Sequence, residues 1–305
     1  MNPRSLATTH MTESQTRVAS LMSKLRDYYI LTKPEVNLLI LMTTSAGYYM
    51  GAQGRFNWWG MVETVVGTLL VASGTATLNQ YMERNYDSDM KRTAGRPLPS
   101  GRVSPQEAFI FGLALSIAGG LYLWFAVNPL TSLLAVSTLL SYLLIYTPLK
   151  RKTPLCTLLG AFPGAMPTLI GWAGASANLN IQAWFLFAVL FLWQFPHFLA
   201  IALMYREDYE RAGFKMLPRF DLDGRFTHAE IMGFTVLLLI TTFFPGFSVD
   251  HSLLYLLGMA VSGIFFLYYG LKLVRSSSRA SASHLLHASV IYLPVVLAVM
   301  MVCKR

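Results

Sequence analysis

The chain of 305 residues is divided into apolar runs of bilayer length, and that division limits its fold more than any other feature. A helix rises about 1.5 Å per residue, so a hydrocarbon core of about 30 Å needs about 20 mostly apolar residues. Nine runs meet or approach this length. They are Val36 to Gly51, Trp58 to Met82, Ala108 to Val127, Leu130 to Thr147, Leu155 to Ala175, Gln182 to Tyr205, Ile231 to Phe247, Leu253 to Leu273 and Leu285 to Val302. The expected fold is therefore all-α, a polytopic membrane helix bundle of about nine transmembrane helices. Only 13% of the residues are charged and 54% are hydrophobic. A soluble domain carries about 25% charged residues, so one large soluble core is excluded.

The cations test this division. With the N-terminus in the cytoplasm, five lysines and arginines precede the first run and five follow the second. Three follow the fourth, five follow the sixth, and three lie between the eighth and ninth. Of 24 in all, only Arg55, Lys304 and Arg305 fall on the other side. Positive residues collect in cytoplasmic loops, so an odd number of spans with the N-terminus inside is expected. The net charge of +9 is then loop charge, not a nucleic-acid site. Cys156 and Cys303 lie in separate apolar runs without metal-ligand spacing, so neither a disulfide framework nor a zinc site is indicated. Residues 1–33 read as a polar cytoplasmic segment with no apolar stretch of signal-peptide type. Arg4, Arg17, Lys24 and Arg26 leave a mitochondrial transit peptide open, against which Glu13 and Asp27 count mildly.

Two long polar loops, Glu83 to Glu107 and Arg206 to Glu230, lie on the inner face, where lids and binding elements are expected. The first opens on Asn79, Glu83 and Asp87. Residues four apart drift about 40° around a helix and rise about 6 Å, so the three form one oxygen-bearing stripe. Amide and carboxylate oxygens suit Mg²⁺, which commonly bridges one or two carboxylates to substrate phosphates. The plain alternative is a solvated helix end, yet acids leaving a membrane helix are costly unless paired or functional. Lys91, Arg92, Arg96 and Arg102 follow directly. Guanidinium forks and ammonium groups beside a metal site are suited to a diphosphate leaving group. A merely positive-inside loop would explain these charges but not their position beside the acids.

The pattern Asn79-x3-Glu83-x3-Asp87 followed by Lys91-Arg92-Thr93-x2-Arg96-Pro97-Leu98 resembles the first signature of the UbiA-type intramembrane prenyltransferases. Glu83 stands where that family usually has Asp. The second loop, entered through Trp193-Gln194-Phe195-Pro196-His197-Phe198, has Tyr205 and Tyr209 where many relatives have an Asp pair, with Glu207 and Asp208 between them. This resembles the haem-farnesylating branch of the family. From about Tyr28 onward the resemblance implies a transmembrane prenyltransferase domain over residues 34–305. Its implied substrates are farnesyl diphosphate and haem B, and its products haem O and pyrophosphate. Mg²⁺ on Asn79, Glu83, Asp87 and Asp208 is the implied cofactor, with Lys91, Arg92, Arg96 and Lys150 on the diphosphate. The same resemblance implies a bacterial inner membrane, with the mitochondrial inner membrane second, and haem A synthase as a partner.

His197 lies two turns before Tyr205 in an apolar run, where an ionisable residue is a functional candidate. Histidine is a common ligand of haem iron, and a hydrogen-bonded core histidine is the equal alternative. Gln194 and Tyr205 could line the same haem-binding cavity. His251, His284 and His287 are weaker candidates. Gly160, Pro163, Gly164, Pro167, Gly171 and Gly174 crowd the fifth run, a composition that serves close packing and kinking. Two rivals remain at this stage: a prenyltransferase with an aromatic or quinone-precursor acceptor, and a transporter with a cytoplasmic anion site.

Overall fold

The computed structural model describes residues 13–305, with side chains from Ser20 onward. Part of the polar segment expected at 1–33, Arg4 and the side chain of Arg17 included, lies outside the described residues. The rest of that segment is a helix, α1 (Glu13–Leu31). All nine expected runs are helical: α2 (Pro34–Gly51), α3 (Trp58–Asp87), α4 (Pro105–Tyr122), α5 (Pro129–Leu140), α7 (Cys156–Ser176), α8 (Ile181–Met204), α11 (Arg225–Phe243), α12 (Ser252–Ser276) and α13 (Arg279–Cys303). Both α4 and α5 run on into a π-helical stretch, Leu123–Val127 and Ser141–Tyr146, and α6 (Thr147–Leu149) completes the second. The short α9 (Arg206–Arg211) and α10 (Leu217–Phe220) lie in the second long loop.

Among the described residues eight helices are long and apolar enough to cross a bilayer; α2 is not one of them. It carries Asn37, Thr43 and Thr44, and buries all three against protein instead of offering them to lipid. Asn37 donates to Ser73 Oγ on α3 (2.9 Å). The α2–α7 approach is close enough that a Cβ on Gly171 would stand 1.9 Å from the Thr44 carbonyl oxygen. This glycine therefore serves the packing that the composition of the fifth run suggests.

Capping sets the helix starts. Ser104 and Glu107 form a reciprocal capping box with Pro105 at the first turn of α4, and Asn128 and Asn180 cap α5 and α8. The helices expected to begin at Ile231 and Leu285 start instead at Arg225 and Arg279. In the second case Ser278 caps a polar first turn that precedes the apolar run. The principal core joins α7, α8, α11, α12 and α13, with Trp193, Phe266 and Tyr292 buried in it. At one end of the bundle Lys304 donates to the Tyr49 and Ala52 carbonyls and Arg305 pairs with Asp250. Two of the three cations that fall outside the inner-face pattern thus gather there, next to the loop that holds Arg55.

Candidate active site

The stripe on α3 is turned into the protein. Asn79 and Asp87 are each 1% exposed and Glu83 6%. A buried carboxylate is sustained only by partners, and each member has a cation from a different segment. Lys33 Nζ donates to Asn79 Oδ1 (2.9 Å), Lys150 Nζ lies 2.8 Å from Glu83 Oε1, and Arg96 Nη1 lies 2.7 Å from Asp87 Oδ2. Asn79 also donates to Thr147 Oγ1 (3.2 Å). The stripe is thus not the solvated helix end of the plain alternative, because all three side chains are buried.

Backbone turns place the cations. Lys33 precedes Pro34, which disfavours a helical conformation at that position, and it adopts φ 51°, ψ 65°, which interrupts the helix between α1 and α2. Burial and the nearby Arg96 push its ammonium down to about 7, against the pull of Glu83 and Asp87. Lys150 caps the C-terminus of α6. Burial would lower it too, but Glu83, with Tyr146 and Tyr142, holds it well above the ordinary lysine value. Its ammonium lies 4.6 Å from the Tyr146 ring centre and about 6 Å from Tyr142 and Phe214.

The second long loop closes on the first. Asp208 accepts from the Arg92 backbone N–H (3.3 Å) and from Arg211 Nη2 (3.1 Å), and Arg211 also reaches the Asp89 carbonyl. The Arg92 guanidinium stands 5.1 Å from the Tyr205 ring centre. Lys91 is exposed and lies outside the cavity wall.

A cavity of about 730 Å³ runs from this polar end into the bundle. Lys33, Arg92, Tyr142, Tyr146 and Tyr209 line it, as do Gln194 and His197 from α8. Between them the wall is mostly apolar, with Val36, Leu39, Val71, Ile170 and Leu190. Gln194 Nε2 donates to the Ala161 carbonyl (3.0 Å), which holds its amide against Gly164. His197 stacks on Trp193 with ring centres 4.5 Å apart. His251, His284 and His287 are exposed and do not line the cavity.

Sequence reasoning counted Lys33 only as loop charge and passed over Tyr142 and Tyr146. The Lys33-Pro34 step marks a helix boundary, but the partner of Lys33 lies 46 residues further on. Nothing local marks the π-helical stretch that carries the tyrosines.

The donor set suits a hard cation. Lys150 and Arg96 each engage one oxygen, Glu83 Oε1 and Asp87 Oδ2, and the second oxygen of each carboxylate has no salt-bridge partner among the described residues. Among the described residues no three His, Cys, Asp or Glu side chains converge on one point.

The UbiA prenyltransferase family model matches residues 40–292. The chain is 46% identical to a protoheme IX farnesyltransferase of Solibacter usitatus, over 91% of this chain and 98% of that protein. It is 42% identical to one of Koribacter versatilis, over 92% and 93%. In fold it is similar to a digeranylgeranylglyceryl phosphate synthase (TM-score 0.74, 20% identity, 92% and 98% covered). It is similar also to a UbiA homologue of Archaeoglobus fulgidus bound to GPP and Mg²⁺ (TM-score 0.65, 17% identity, 90% and 99% covered).

Proposed function

The chain belongs to the UbiA prenyltransferase family, and on that premise we propose that it transfers the farnesyl group of farnesyl diphosphate to a vinyl group of haem B, with addition of water, giving haem O and pyrophosphate. The observation that carries this reading is a cavity with a polar end and an apolar wall. One end is lined by Lys33 and Arg92 beside the Asn79–Glu83–Asp87 stripe, its wall is apolar, and His197 and Gln194 stand on α8.

In the reaction the C1–O bond of farnesyl diphosphate breaks and the electron pair leaves with pyrophosphate. Lys33, Arg92, Arg96 and Lys150 meet the charge that develops on the leaving oxygens, the task for which preorganised cations are suited. Lys91, exposed on the same loop, is proposed as a further member of this set. Glu83 and Asp87, with Asn79 and Asp208, would hold Mg²⁺, which when bound supplies further neutralisation of the diphosphate. The vinyl π electrons then form the new bond to C1. The carbon left electron-deficient takes a water oxygen, and that water releases a proton. An apolar wall excludes other water from the allylic cation before the vinyl group reaches it. His197 offers a nitrogen to the haem iron and Gln194 bounds the acceptor's space, while Tyr205 is not among the residues that line the cavity and instead faces the Arg92 guanidinium.

The setting is a multi-pass membrane protein. Its proposed location is a bacterial inner membrane with the N-terminus cytoplasmic, and haem A synthase, which would consume haem O, is the proposed partner. The test is mass spectrometry of products from purified protein in lipid given farnesyl diphosphate, haem B and Mg²⁺. A farnesylated, hydrated haem is expected. Turnover only with a small aromatic acceptor would overturn the haem assignment, and absence of pyrophosphate release with every acceptor would overturn the enzyme assignment.

A further inference from the structure

The imidazole of His197 is held by a second helix in a way that decides where its proton sits. Ser289, on α13 and fully buried, places its Oγ 2.7 Å from His197 Nδ1. The same Oγ lies 2.6 Å from the carbonyl oxygen of Leu286, one turn earlier. A hydroxyl has one proton. Two oxygens at 2.6 Å with no proton between them would repel, so the Ser289 proton lies on the line to Leu286. The oxygen then has only lone pairs to offer His197, and Nδ1 must be the donor.

From this geometry we infer that Ser289 is a positioning residue: it holds His197 as the Nδ1–H tautomer and leaves Nε2 as a bare lone pair on a ring that lines the cavity. The same backbone reinforces the placement, because Trp193 Nε1 donates to the Ser289 carbonyl (2.8 Å) and the Trp193 ring stacks on the imidazole. Among the described residues Nε2 has no hydrogen-bond partner, and the ring lines the 730 Å³ cavity. An imidazole that binds iron through one nitrogen commonly donates from the other, which fixes the tautomer and raises ligand basicity. A proton on Nε2 would block iron altogether.

The inference rests on the reading of the cavity as a haem-acceptor pocket, and the test separates the two. Full-length protein in nanodiscs is loaded with ferrous haem B, and the iron–imidazole stretching band is recorded by resonance Raman spectroscopy alongside haem affinity. Wild type gives the band. Ser289→Ala moves it to lower frequency, because the hydrogen bond that enriches the ligand is gone, and weakens haem binding about tenfold. Ser289→Thr, which keeps the oxygen, restores both. In a His197→Ala background, Ser289→Ala changes haem affinity by no more than about twofold, since a residue acting through His197 has nothing left to act on. If Ser289→Ala does not fold, Ser289→Cys, a weaker acceptor of similar shape, is measured in its place. A wild-type complex without the band overturns the ligand reading and takes the inference with it. A band at the same frequency in Ser289→Ala overturns the inference alone, as does a further tenfold loss in the His197→Ala background.

Discussion

Lys150 Nζ and Glu83 Oε1 lie 2.8 Å apart with both residues almost completely buried, joining the end of α3 to the turn after α6. Removing one member of such a pair strands a charge, a loss of about 3–5 kcal/mol. We expect Lys150→Met to lower the melting temperature of the detergent-solubilised protein sharply, and Glu83→Gln in the same chain to recover most of it. The double variant should still release no pyrophosphate. Its recovered stability would separate the ion pair's structural part from the chemical one, and turnover by the double variant would count against Glu83 as a metal ligand.

Asp87 and Asp208 are proposed as metal ligands alike, but their present partners differ. Asp87 has one oxygen on Arg96, whereas both oxygens of Asp208 are engaged, by Arg92 N–H and by Arg211. Asp87→Asn is therefore expected to lower pyrophosphate release by at least about a thousandfold, on the scale of losing a charge-stabilising group. Asp208→Asn, which keeps an acceptor for the Arg92 N–H, should lose no more than about tenfold, equivalent to about 1.4 kcal/mol. A stopped pyrophosphate assay at saturating Mg²⁺ decides it, and equal losses would refute the distinction.

The stripe was legible because spacing by four is a property of three nearby residues. Its partners were not. Lys33 and Lys150 stand 46 and 67 residues from Asn79 and Glu83, and only the packed bundle brings them together. The nine helices could be read from hydrophobic length, with errors where polar turns continue a helix beyond its apolar stretch, as at Arg225 and Arg279. The polarity of residues 13–31 likewise hides the helix α1. Arg102 reaches back to Asp27 (2.9 Å) and Lys24 to Glu107, so that helix is tied to the first long loop by pairs no local pattern announces.

Mg²⁺ should act with the diphosphate and not before it, since the open oxygens belong to two carboxylates that already hold lysine and arginine. Protein stripped with a chelator is expected to melt almost as wild type. Mg²⁺ alone should add little, and Mg²⁺ with inorganic pyrophosphate should raise the midpoint in proportion to the logarithm of ligand concentration. A large stabilisation by Mg²⁺ alone would mean a complete protein metal site. No such convergence of ligands is present among the described residues.

The α2–α7 interface sets the width of the cavity, because Asn37, Leu39 and Thr43 on one helix and Gly164, Pro167 and Ile170 on the other all line it. A Cβ at Gly171 would meet backbone, the Thr44 carbonyl oxygen at 1.9 Å and the Tyr48 nitrogen at 2.7 Å, so no rotamer change can relieve it. Gly171→Ala must push the helices apart, at an expected loss of about 2 kcal/mol or more from overpacking. Gly233, on α11, has nothing within 4 Å of its would-be Cβ. There Gly233→Ala should stabilise by about 0.5–1 kcal/mol through helix propensity alone. Thermal melts of the two variants side by side check the contrast. Because the wedge at Gly171 reshapes the wall and leaves the Asn79–Glu83–Asp87 stripe in place, the residual folded fraction of Gly171→Ala should keep its Mg²⁺ dependence while its KM for the prenyl substrate rises. An unchanged KM would show that α2 does not bound the prenyl pocket.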